Sequence, residues 1–218
     1  MDFEFWDNCW HKDSQPFHVS RVHPLLKTTL PLLDPYSPVL VPLSGKSLDL
    51  IYLSEQGYAS TAIEFNPKAV TEFITSSGIA FSKTATDDTT VYNSDNIELW
   101  LADFFAVTTS DIGQFEQVFD RAAYIALPET MRADYAKHLI SLLKSNAQIF
   151  MVTMDYPQHQ MSGPPFYVDQ QELAEHFAGA KISEKARHSL MDNHPRWKEL
   201  GLDYLDEVLY QIQFVSSA

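Results

Sequence analysis

The sequence predicts an α/β fold built on a mostly parallel sheet, and three observations carry that prediction. Apolar runs suited to buried strands alternate with amphipathic helical stretches from residue 38 to about residue 178. Helical connections between strands are crossovers, which set successive strands parallel and cover both faces of the sheet. The last two strand candidates have no helix between them, so they are expected as an antiparallel hairpin at one sheet edge.

The elements follow in order. Residues 22–33, VHPLLKTTLPLL, have helix-like spacing interrupted near the end by Pro31. Residues 38–42 read as a buried strand, and residues 46–57 as a helix with Leu48, Ile51 and Tyr52 on one face and Gly57 as C-terminal cap. YASTAIEF (58–65) is a second strand, and NPKAVTEFITSSG (66–78) a helix with Asn66 as N-cap and Pro67 at its first position. FSKTATDDTTVYNSDN (81–96) is polar and is expected as a loop or hairpin between layers. Strands are expected at 97–105, 117–127 and 147–156, with the strongest helix at 128–145 and a further helix at 169–179. The closing strand candidates are 182–190 and 204–216.

Composition bounds the function. A chain of 218 residues fits one domain, residues 1–218, opened by an aromatic and helical segment at 1–37. Its single cysteine, Cys9, cannot form an internal disulfide, which suits a reducing compartment. Fifteen Lys and Arg stand against 29 Asp and Glu, a formal net charge of −14, so neither nucleic acid nor an anionic membrane is an expected partner. MDFEFWDNCW has no basic start or apolar core, so no signal peptide is expected. No apolar run approaches the ~20 residues of a membrane span, and a cytoplasmic location is the expectation. The eight His residues show no metal-ligand spacing, and no metal is proposed.

In open α/β sheets, ligands sit at the carboxyl ends of the strands, where chain order reverses. The turn Leu43-Ser44-Gly45 would lie there. Glu64 ends the second strand nineteen residues after Gly45, close to the ~20-residue spacing at which an acidic side chain reaches ribose hydroxyls. A glycine cluster lets the backbone close on a pyrophosphate, and this turn has only one glycine. A nucleoside without phosphates, such as S-adenosylmethionine, needs the carboxylate and not the cluster. A glycine in such a turn and a Glu at a strand end are also common structural features of α/β proteins, and that reading stays open on spacing alone.

Seven stretches then converge: FWDNCWHKDSQPFH, VLVPLSGKSLDL, GYASTAIEF, LADFF, FDRAAYIALP, MDYPQHQMSGPPFYV and RWKELGLDYLDEVLY. In this order, over almost the whole chain, they resemble the thiopurine S-methyltransferase family. The resemblance implies a seven-stranded Rossmann-like fold and S-adenosylmethionine as cofactor. It also implies methyl transfer to a sulfur nucleophile, a thiopurine or another thiol, with selenium or tellurium species as acceptors in some bacterial members. By position it puts Trp6, Trp10, Leu43, Glu64, Asp103, Phe104 and Arg121 at the cofactor, Phe17 at the substrate and Arg196 near the acceptor. Two departures stand out. Ser44 replaces the usual Cys of the first turn, and Ala122 follows the Asp120-Arg121 pair where the family often has Gly.

Taken singly, each residue also has a plainer reading. Trp6 and Trp10, four apart on one helical face, could be core packing; with the motif they read as a lid over the cofactor. Asp103 is otherwise a turn or cap residue. Arg121 is expected inside an apolar strand, where it must pair with Asp120 or Glu64 or point into a polar site. Gly163-Pro164-Pro165 cannot join a regular helix or central strand. The expected loop closes over the acceptor, with Phe166 and Tyr167 as apolar walls, or else is an edge connector. A thiol or hydrogen chalcogenide that ionises near neutrality needs no strong general base, so Arg121 and Arg196 are expected as catalytic residues that stabilise an anionic small-molecule acceptor. A monomer is expected. The rival readings are a methyltransferase of the same fold acting on an oxygen anion or another small metabolite, and a S-adenosylmethionine-binding module without catalysis.

Overall fold

A computed structural model of the chain describes residues 3–12, 15, 17–86, 89–191 and 199–215. Helix α1 (Phe3–Trp10) and α2 (Pro24–Thr29), with a 3-10 turn at Leu30–Leu32, precede strand β1 (Val39–Pro42). There follow α3 (Leu48–Glu55), β2 (Ser60–Glu64), α4 (Pro67–Ser77), β3 (Ser82–Ala85), β4 (Thr90–Asn93), β5 (Ile97–Leu101), α5 (Thr109–Ile112) and β6 (Phe115–Arg121). After a 3-10 turn at Tyr124–Ala126 come α6 (Glu129–Ser141), β7 (Leu143–Asp155), α7 (Gln170–His176), β8 (Lys181–Ser189) and β9 (Asp206–Gln213).

The strands hydrogen-bond in the order β3-β4-β5-β2-β1-β6-β7-β9-β8. Nine strands stand where seven were expected, and the two additions are β3 and β4. They form an antiparallel hairpin inside the polar stretch 81–96, and β4 adds antiparallel to β5. Every residue of β3 is exposed. An edge strand with little to bury needs no apolar residues, and polar side chains there discourage pairing with other chains, which is why this segment resembled a loop.

The chain forms two compact units, residues 1–119 and 120–218. In the first, β1 runs parallel to β2 and to β6, and β2 runs parallel to β5. All of β1 and β2 is buried, Ser60, Thr61 and Glu64 included, as expected for parallel strands covered on both faces. Chain order reverses at β1, which has β2 on one side and β6 on the other. Buried Gln117 of β6 ties down the preceding loop: its amide donates to the Asp34 and Ser37 carbonyls at 2.8 and 2.6 Å and accepts from the Asp34 amide at 2.9 Å. The cap signals hold, while the buried residues of α3 are Asp49, Leu50 and Leu53, and the expected face of Leu48, Ile51 and Tyr52 is half-buried. The Asn66 side chain accepts from the Lys68 and Ala69 amides, Pro67 opens α4, and Gly57 follows α3 at φ 83°.

In the second unit, β9 lies antiparallel between β7 and β8, with a register shift between Glu184 and Ala186. This is the expected closing hairpin. Two boundaries differ from expectation. Helix α6 stops at Ser141, and β7 already begins at Leu143. Strand β6 ends at Arg121 and does not run on to residue 127. Ala122 turns into the left-handed region at φ 68°, and buried Asp120 accepts hydrogen bonds from the Ala123 and Tyr124 amides to close the turn. Arg121 therefore stands half-buried at a strand's end, not inside a strand.

Candidate cofactor and acceptor sites

In the first unit the carboxyl ends of β1, β2 and β5 lie side by side, because Pro42 pairs with Ile63 and Glu64 with Leu101. The turn after β1 holds Leu43 at φ 46° and Gly45 at φ 57°. Glu64 reaches into that turn. One carboxylate oxygen accepts from the Gly45 amide at 2.7 Å, and the other accepts from the Asn66 amide at 2.7 Å. Burial pushes the Glu64 carboxyl up to about 7, against the pull of these amides. The Phe65 amide draws on the same carboxylate, and of its about four acceptor positions one is left for a ligand hydroxyl.

The aromatic segment packs over this turn. A Cβ on Gly45 would stand 3.1 Å from Cζ2 and 3.2 Å from Cη2 of Trp10, whose side chain is buried. Only glycine leaves the ring that place, and only glycine takes this φ without strain. Phe17 meets both Trp6 and Trp10 edge-on, with ring centroids 5.7 and 4.9 Å away. Lys46 places its ammonium 5.7 Å from the Trp10 ring centroid and 2.6 Å from Glu72. Asn66 donates to Asp7 of α1 at 3.0 Å. Helix α1 is thus fastened to the strand ends at both Trp10 and Asp7. The Ser44 hydroxyl is buried here with no hydrogen-bond partner among the described residues.

Asp103 is exposed and accepts from the Phe105 amide at 3.0 Å, forming a turn after β5. Phe104 is fully buried against Phe105. This turn follows the carboxyl end of β5. One glycine, one carboxylate with acceptor capacity and an unpartnered hydroxyl fit an adenosine without phosphates better than they fit a pyrophosphate.

In the second unit, Asp120 immediately precedes Arg121 at the end of β6 and is buried. Asp120 takes the Tyr135 hydroxyl at 2.7 Å besides its two amides, and burial raises its carboxyl to about 6. The loop Gly163–Tyr167 is fixed by backbone: the Phe166 amide donates to the Ile125 carbonyl at 2.8 Å, and the Tyr156 hydroxyl to the Pro165 carbonyl at 2.8 Å. Arg196 lies outside the described residues.

Sequence reasoning missed Arg132, Tyr124 and Glu172. Arg132 is buried, with two hydrogen bonds to Glu172 at 2.9 and 2.7 Å. A signal was present. The buried residues of α6 are Arg132, Tyr135, Ala136 and Leu139, so a charged residue occupies the helix's apolar stripe.

Comparison with known proteins agrees with this geometry. The sequence profile of the thiopurine S-methyltransferase family matches residues 1–214. The chain is 36% identical to a thiopurine S-methyltransferase of Pseudomonas putida over 214 residues, covering 97% of this chain and 99% of that one. It is 36% identical to the enzyme of the same name from Bordetella parapertussis over 218 residues, covering 98% and 99%. In fold it is similar to a SAM-dependent methyltransferase of Anabaena variabilis, with a TM-score of 0.68 at 12% identity over 97% of this chain and 94% of that one. It is also similar to magnesium protoporphyrin IX methyltransferase of Synechocystis, solved with bound SAM, with a TM-score of 0.60 at 12% identity over 96% and 90%.

Proposed function

The chain belongs to the thiopurine S-methyltransferase family and is an S-adenosylmethionine-dependent methyltransferase, and from that premise we propose that its acceptor is a small sulfur nucleophile or a selenium or tellurium analogue. The residue that supports an anionic acceptor is Arg121, a guanidinium half-buried at the carboxyl end of β6. The cofactor, when bound, supplies an electrophilic methyl group on a sulfonium. Glu64 holds the ribose with the acceptor capacity its backbone amides leave, and the turn Leu43–Gly45 receives the nucleoside. Trp6 and Trp10 exclude water above that turn, and the Asp103–Phe104 turn borders it.

Arg121 steadies the negative charge of the acceptor, and Arg196 is proposed as a second cation with the same task. Phe17 and Phe166 are each proposed as apolar contacts of the acceptor. Charge is lost when a thiolate meets a sulfonium, so a dry pocket lowers the barrier relative to water. The rest of the acceleration is positioning. No covalent nucleophile is required of the protein. No described helix is long and apolar enough to cross a membrane.

The test is acceptor-dependent formation of S-adenosylhomocysteine across thiopurines, aliphatic thiols, selenite, tellurite and oxygen-anion controls. Turnover confined to the sulfur, selenium or tellurium compounds supports the proposal. Turnover confined to the oxygen acceptors overturns it.

A further inference from the structure

The loop Gly163–Tyr167 carries Phe166, and the second unit contains a buried polar cluster that touches this loop from the side. The Arg132 guanidinium lies with its carbon 5.4 Å from the Phe166 ring centroid and 5.7 Å from that of Tyr124. Its Nε donates to the Leu127 carbonyl at 2.9 Å, and one terminal nitrogen donates to the Tyr167 carbonyl at 3.2 Å and to Glu172. Glu172 also accepts from the Tyr124 hydroxyl at 2.8 Å, and that hydroxyl meets His176 Nδ1.

The charge is 3% exposed, and a buried ion pair can often be replaced by apolar residues of similar volume without loss of stability. What an apolar side chain cannot do is grip the Tyr167 carbonyl and the Phe166 ring face at once. Guanidinium is suited to both, being planar and rich in donors. The fork is itself aimed by Glu172, whose position is set by α7: Asp169 caps the helix by accepting from the Glu172 amide at 2.8 Å. Gly163 completes the arrangement. A Cβ there would lie 2.5 Å from the Phe166 ring, so the ring's place depends on glycine at this position.

We propose that Arg132, held by Glu172 and Tyr124, is a positioning residue that sets Phe166 at the acceptor pocket and so tunes which acceptors are accepted by size and planarity. This rests on the reading of Phe166 as an acceptor wall. Arg132 touches no reacting atom; it acts through the loop.

The experiment compares the full chain with Arg132→Lys, Tyr124→Phe and Phe166→Ala. Each is assayed for thermal unfolding, S-adenosylhomocysteine affinity, and KM and kcat with a planar aromatic thiol and a small aliphatic thiol. Arg132→Lys keeps the charge and loses the fork, and Tyr124→Phe keeps the ring and loses one bond to Glu172, so two conservative changes probe the same cluster independently. The expected result is a rise in KM for the aromatic thiol of about tenfold in Arg132→Lys and about threefold in Tyr124→Phe, as for the loss of one or two hydrogen bonds. The aliphatic KM and the S-adenosylhomocysteine affinity should each stay within about twofold. A purely structural role would lower stability and leave the ratio of the two KM values unchanged, which overturns the proposal. If Phe166→Ala leaves both KM values unchanged, the premise about the wall fails and the proposal with it. If Phe166→Ala changes the ratio and Arg132→Lys does not, the wall stands and the positioning role is wrong.

Discussion

The Glu64 carboxylate accepts a 2.7 Å hydrogen bond from the amide of Gly45, joining the end of β2 to the turn after β1. The second oxygen is held as firmly by Asn66. A buried carboxylate gripped by two amides is aimed before any ligand arrives, so little reorganisation is needed on binding.

Glu64 makes binding depend on pH. Burial holds its carboxyl near 7, and hydroxyl donors of a nucleoside favour the ionised form. Binding therefore lowers that value and expels a proton near neutrality. Affinity for S-adenosylhomocysteine should rise between about pH 6 and pH 8 and then level off. Calorimetry in buffers of different ionisation heat reads the released proton directly.

Stability of the ligand-free protein should move the opposite way. The folded values of Glu64 and Asp120, about 7 and about 6, lie above the ordinary 4.5 and 3.8. Their contributions are fully present below the ordinary values and are lost as pH rises through the folded ones. Denaturant unfolding from pH 5 to pH 8 should show this pair of groups favouring the lower pH, and Glu64→Gln should remove part of the slope.

Gly45→Ala should unseat the lid. The added Cβ meets Trp10 at 3.1 Å from a φ of 57°, a strain of about 1–2 kcal/mol before the ring moves. Tryptophan fluorescence should shift and S-adenosylhomocysteine should bind more weakly. A variant with unaltered spectrum and affinity would count against the contact.

Ala122→Gly should stabilise. Ala122 holds φ 68°; relief of about 1–2 kcal/mol exceeds the 0.5–1 kcal/mol that a glycine forfeits in chain entropy. A gain near 0.5–1 kcal/mol corresponds to roughly 2 °C in Tm for a chain of this size, readable by calorimetry.

Arg121→Ala should lower kcat/KM by about 30-fold, the ~2 kcal/mol of a charge-assisted contact. S-adenosylhomocysteine affinity should change by no more than about twofold, as isothermal titration would show. Wild-type turnover would remove Arg121 from the acceptor site.

The sequence made the central strands legible because burial on both faces leaves apolar runs such as Val39–Val41, and the helix starts legible because Asn66 and Pro67 announce themselves chemically. Glu64 was legible from its spacing to Gly45. The stretch 81–96 was legible as a loop or hairpin but not as two strands added to the sheet, since an exposed edge imposes no apolar pattern on Ser82–Ala85. The end of β6 was missed for a different reason: Ala122 takes a backbone conformation that alanine does not advertise. Arg132 sits among partners 35 and 40 residues away, Tyr167 and Glu172. Its place on the stripe of α6 was readable, but those partners were not.

The most direct measurement is titration of S-adenosylhomocysteine into the wild-type protein and into folded Glu64→Ala. The account predicts binding to the wild type and a loss of about 100-fold in the variant, as for a hydrogen bond to a buried charge. Affinity in the variant within about twofold of wild type would contradict it.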